Sequence, residues 1–131
     1  MVGSIHDEDS KKIIFMSKYR KDFFTEYEWL DFCAEHGLSD HQLWFASHIM
    51  TSRTDQNRVV EAYKWVFIAE TLGNPYAVNV SGFLRTSMTE EQVAKADLLI
   101  DEWVAARDDD LLNNRTDYWS MDLKQKFRSA A

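Results

Sequence analysis

The chain has 131 residues, 45% hydrophobic and 14% aromatic, which is enough apolar material for one compact core and too much for a disordered segment. With 15 Lys and Arg against 22 Asp and Glu, the formal net charge is -7; this disfavours nucleic acid and anionic membrane, would steer a basic protein inward, and equally serves plain solubility. A single cysteine, Cys33, excludes an internal disulfide, and no apolar run approaches the ~20 residues that span a bilayer. The polar stretch 1–12 lacks the apolar centre of an export signal, so a cytoplasmic address is expected.

A first helix is predicted over about 9–24, where Ile13, Met16, Tyr19 and Phe23 fall on one stripe and Lys11, Lys12, Lys18, Arg20 and Lys21 face solvent. Thr25 and Glu28 form a capping box that opens a second helix, which Gly37 ends. Ser39 and Gln42 offer another capping box for a third helix, running to about 51. A fourth, over about 58–72, is apolar around a wide arc: Val59, Ala62, Tyr63, Val66 and Ala69 line one side, and Trp65, Ile68 and Leu72 another. Such a helix must be covered on more than one side.

Gly73-Asn74-Pro75 separates it from a fifth helix over about 75–86, with Ala77, Val80, Phe83 and Leu84 inward. A Thr89/Gln92 box starts the sixth, which runs to about 107 with Ala96, Ile100 and Trp103 inward. Asp108, Asp109 and Asp110 then read as an acidic linker. A last helix from about 116 would place Trp119, Leu123 and Phe127 on one stripe as a terminal cap. The expected domain is thus single: 1–24 an N-terminal helix, 25–107 a core, and 108–131 a linker plus cap.

A pattern recurs 36 positions apart: Tyr27, Trp29, Phe32, Cys33 and Gly37 are echoed by Tyr63, Trp65, Ile68, Ala69 and Gly73. A unit of this length, ending in glycine, is how stacked helix pairs are written in sequence. Within it, Ala62-Tyr63-Lys64-Trp65, then Ala69, then Gly73 and Ala77, resembles the A-x-x-W…A…G-x-x-x-A wording of the Sel1-like repeat family. The resemblance is best over about 61–103 and weaker over 27–58, where His41 takes the place of Ala77 and Ser47-His48 that of Phe83-Leu84. It implies an all-α fold, a short α/α solenoid of about six to seven antiparallel helices, and a binding scaffold with no catalytic residue or cofactor.

Cys33, with Ala69 as its repeat-mate and Trp29, Leu30 and Phe32 around it, reads as a small core residue rather than a nucleophile. His41 and His48 are separated by ~10 Å of helical rise, too far for one metal ion, and surface or capping roles are expected. Trp44 and His48 break the repeat pattern and are candidates for a partner-facing side, although a core position suits a tryptophan equally. Asp108, Asp109 and Asp110 are candidate contacts for a basic partner, against the plainer reading of a solvated segment. The function expected is a non-catalytic protein-binding module, most specifically an immunity-type or adaptor protein that neutralises or holds a toxin or effector. The alternatives are a structural oligomer subunit held by exposed aromatics, and an enzyme with a polar groove near His41 and His48.

Overall fold

In the computed structural model, which describes the backbone of residues 3–112 and the side chains of 10–107, Gly37 and Gly73 adopt left-handed backbone, with φ of 87° and 98°. Each ends a helix by the same pair of bonds. The Gly37 N–H donates to Ala34 O at 3.1 Å and Leu38 N–H to Cys33 O at 3.2 Å. Gly73 N–H reaches Glu70 O at 3.0 Å and Asn74 N–H reaches Ala69 O at 2.9 Å. This is the Schellman closure, and a side chain at either glycine would strain the positive φ it needs.

The helices so punctuated are α1 (Gly3–Tyr19), α2 (Glu26–Glu35), α3 (Ser39–Ser52), α4 (Arg58–Thr71), α5 (Val78–Thr86) and α6 (Glu90–Leu112), with a 3-10 turn at Arg20–Asp22 after α1. No strand occurs among the described residues. The helix starts follow local chemistry where a hydroxyl is placed to cap. Thr25 Oγ1 accepts from Glu28 N–H at 3.1 Å. Thr89 and Gln92 exchange both bonds of a capping box, at 3.0 and 3.1 Å.

Helix α4 lies at the centre, packed against α3, α5 and α6, while α2 packs on α3. Its buried residues Val60, Ala62, Tyr63, Trp65, Val66, Ile68 and Ala69 occupy the wide arc that its sequence requires. Buried alanines 46, 62, 69, 77 and 96 keep neighbouring backbones close, and the Trp65 ring meets Trp103 edge-on at 6.1 Å. A second cluster joins α1 to α2 through Phe15, Trp29, Cys33 and Leu38.

Several expectations are corrected. The inward stripe of α1 is led by Phe15, stacked on Phe32 at 5.5 Å, and Ile13 points outward. No Ser39/Gln42 capping box forms: Leu38 takes the N-cap position of α3, and Gln42 is buried, donating Nε2 to Ala34 O at 3.0 Å. Pro75 does not open α5, because the Asn74 carboxamide oxygen accepts from Tyr76 N–H at 2.9 Å and holds this stretch as a turn. Helix α5 buries Ser81, flanked by the buried Ala77 and the half-buried Leu84, and turns Val80 and Phe83 outward. Finally, α6 continues to Leu112, so the backbone of Asp108, Asp109 and Asp110 is helical rather than a linker. The helix expected from about 116 lies outside the described residues.

Candidate protein-docking surface

Helix α3 carries both residues singled out on it. Trp44 is 56% exposed and His48, one turn further along the same face, is half-buried. His41 does not sit at the surface as expected. It is buried, edge-on to Trp29 at 6.0 Å and 4.7 Å from the Trp44 ring, so Trp44 forms the outer layer of a stack whose base is the core. Burial lowers the His41 pKa against the opposing pull of Asp40 and Glu26, which keeps the ring neutral at physiological pH. His48 rests on Tyr27 at 5.7 Å, and Tyr27 in turn meets the Phe45 edge at 5.0 Å.

Two depressions flank α3. Toward α1, a hollow of about 430 Å³ is walled by Met16, Leu38, His41 and Trp44, with Lys12 and Asp40 at its rim. Toward α5 lies a more apolar groove of about 420 Å³, with Leu43 and Met50 on one wall, Val80 and Leu84 on the other, and Ala62 and Val66 as its floor. Tyr76 closes one end of it, and Phe83, 72% exposed, stands on the same short helix as Val80. The groove exists because α3 and α5 both pack on α4 while the small side chains Ala46 and Ala62 leave space between them. Val80 and Phe83, expected inward, lie at the surface together with Tyr76. The signal lay in Ala77 and Ser81, whose small side chains, four apart, mark the face of α5 that meets α4.

Charge is largely engaged on the side formed by α2, α4 and the end of α6. Arg107 donates to Glu35 O at 2.9 and 3.1 Å and to its carboxylate at 2.8 Å. Arg53 bridges Asp55 and Glu61 at 2.7 and 2.6 Å. Burial, and then the neighbouring Glu35, raise the Asp31 pKa, while burial lowers that of Lys64, whose ammonium lies 4.0 Å from the Trp65 ring centre. Exposed acids cluster on α6, at Glu90, Glu91, Asp97, Asp101 and Glu102, with Asp22, Glu26 and Glu28 exposed nearer the start of the chain. Asp108, Asp109 and Asp110 follow on that helix, remote in sequence from Trp44 and His48, and their side chains lie outside the described set.

For chemistry, Cys33 is fully buried and its thiol is pushed up to about 12, chiefly by burial, so it has almost no thiolate at neutral pH. Among the described residues no group of three His, Cys, Asp or Glu could hold a metal ion. None of the described helices is long and apolar enough to cross a membrane. No known family matches this chain, and no characterised protein or solved structure is significantly similar to it.

Proposed function

We propose that this protein is a non-catalytic adaptor of Sel1-like repeat type, a short solenoid that binds another protein along α3. Its sharpest form is an immunity-type protein of the cytoplasm that neutralises a toxin or effector by occupying it. The observation that carries this reading is the Trp44–His41–Trp29 stack: a large aromatic half in solvent, anchored on a buried neutral ring, between two apolar depressions. Tryptophan in such a setting is the residue type that dominates protein interfaces. The matched Schellman ends at Gly37 and Gly73 and the recurrence of Trp29 at Trp65 support the repeat reading. The exposed acids of α6 favour a partner with a basic surface.

The test is capture with tagged wild type beside Trp44→Ala and His48→Ala, followed by titration of the purified partner. One stoichiometric partner whose affinity falls by about tenfold or more for Trp44→Ala supports the reading. Equal binding by all three proteins places the surface elsewhere. If charge guides the encounter, association slows markedly between low and physiological ionic strength.

A further inference from the structure

Helices α1 and α6, the first and last of the described helices, each present a continuous exposed stripe, and the described side chains of the two stripes are opposite in charge. On α1 and the 3-10 turn, Ser10, Ile14, Ser17 and Lys21 follow at intervals of 4, 3 and 4, with Lys18 beside them; all are exposed, Ile14 by 65%. On α6, Glu91, Ala94, Leu98, Asp101 and Ala105 follow at 3, 4, 3 and 4, with Glu102 beside them; all are exposed, Leu98 by 59%. Alternating steps of three and four are the spacing of a seam between two packed helices. Each stripe has one aliphatic residue, Ile14 or Leu98, next to small ones (Ser10 and Ser17, or Ala94 and Ala105) and to charged ones.

Charge selects which stripes can meet. Residues 10–22 carry Lys11, Lys12, Lys18, Arg20 and Lys21 against Asp22; of these Lys12 rims the hollow beside α3 and Arg20 lies over the Trp29 ring, and the acids Asp7, Glu8 and Asp9 precede them on α1. Residues 90–107 carry Glu90, Glu91, Asp97, Asp101 and Glu102 against Lys95 and Arg107, and Arg107 is already bound to Glu35. Two α6 stripes repel each other, so that face cannot pair with itself across a two-fold axis. An α1 stripe on an α6 stripe is attractive.

We propose that the α1 face docks on the α6 face of a second copy of this chain, head to tail. The contact uses neither Trp44 nor His48, and it goes beyond the partner-binding reading without depending on it. Because the two surfaces differ, every added copy leaves one of each open, and assembly proceeds to a ring or a filament according to the rotation between copies. Exposed ion pairs contribute little singly, so the association is concentration-dependent and salt-sensitive.

Sedimentation of the full chain at about 20 mM and about 150 mM salt tests this. The expected result is a wild-type average mass that rises with concentration, to at least about twice the monomer, and falls back as salt is added. Lys18→Glu with Lys21→Glu, and separately Asp101→Lys with Glu102→Lys, each sediment as monomers while keeping the wild-type circular dichroism. An equimolar mixture of the two variants associates again, since each supplies the face the other lacks. Should a reversed variant lose its helical spectrum, Lys18→Ser and Asp101→Ser replace it with the same expected loss. Wild type that stays monomeric in low salt, a variant that assembles like wild type, or a mixture that stays monomeric overturns the proposal.

Discussion

Asn74 donates to Asp40 across 2.7 Å, tying the turn after α4 to the first turn of α3. The same carboxamide holds its own turn through Tyr76 N–H and also reaches Ser39 Oγ at 3.3 Å, all from a buried position. A hydrogen bond to a charged group contributes about 1.5–3 kcal/mol, so Asn74→Ala is expected to lower the unfolding free energy by about 2 kcal/mol in urea. Asp40→Ala should then cost less in the Asn74→Ala background than in wild type. Equal costs in both would show that the two residues are not coupled.

Gln42 is fully buried, yet only half of its carboxamide is satisfied. Its Nε2 donates to Ala34 O, while Oε1 has no partner among the described residues. Ala34 O keeps a second donor in Gly37 N–H, so losing Gln42 would not orphan it. An unpaired buried acceptor costs about 1–3 kcal/mol and a neutral hydrogen bond contributes about 0.5–1.5 kcal/mol. Gln42→Met should therefore leave the urea midpoint unchanged or raise stability by up to about 1 kcal/mol. A clear loss would mean that the bond to Ala34 outweighs the orphaned oxygen.

What the sequence disclosed follows from how local each cause is. Thr25 and Thr89 cap through residues three positions away, and the helix-ending glycines act on the turn they stand in, so these features are legible along the chain. The centrality of α4 is legible too, because an arc apolar from Val60 to Ala69 leaves no solvent side wide enough for a surface helix. The failures are tertiary. Gln42 had a plausible local role as a cap partner, and Ala34 on the preceding helix drew it inward instead. His41 is buried because Trp29, on that same helix, covers it. Helix α5 has only 9 residues with apolar side chains on more than one side, so its periodicity could not choose between Leu84 and Phe83 as the inner residue. Trp44 is open to both readings in sequence, and at 56% exposure it is not a core residue.

Trp65 is buried between Phe45 and Trp103, with both ring centroids 6.1 Å away and Lys64 over its face. It therefore joins α3, α4 and α6 through one side chain. Truncation of such a residue costs about 3–5 kcal/mol, a large share of the ~5–15 kcal/mol available to a domain. Trp65→Ala should unfold the protein or depress its melting temperature steeply, as read by circular dichroism. A melting point within a degree or two of wild type would contradict the central place of α4.

Asp31 works against the fold at neutral pH. Burial and the charges of Glu35 and Glu61 hold its folded pKa above the ordinary 3.8, with Lys64 only partly offsetting them. Above the folded value its ionisation therefore disfavours the native state; below 3.8 the carboxyl is protonated in both states and the effect vanishes. Asp31→Asn is expected to be more stable than wild type at pH 7, with the difference shrinking as pH falls through the folded pKa. Urea midpoints taken between pH 7 and pH 3 decide it, and a variant less stable than wild type at neutral pH would rule it out.

His41 gives the opposite slope. Its folded pKa lies below the ordinary 6.5 because the ring is buried between Trp29 and Trp44, even though Asp40 and Glu26 pull it upward. Well above 6.5 the ring is neutral in both states and titration adds nothing. As pH drops through 6.5 the unfolded chain takes up a proton that the folded chain refuses, so stability declines until the folded value is reached. His41→Phe keeps an aromatic ring between the two tryptophans and removes the proton. Its stability should fall less than that of wild type between pH 7 and pH 5, and Trp44, left on the same anchor, should keep its exposure to fluorescence quenchers. Parallel curves for the two proteins would mean that His41 titrates alike in both states, and the neutral base assigned to the Trp44 stack would be lost with it.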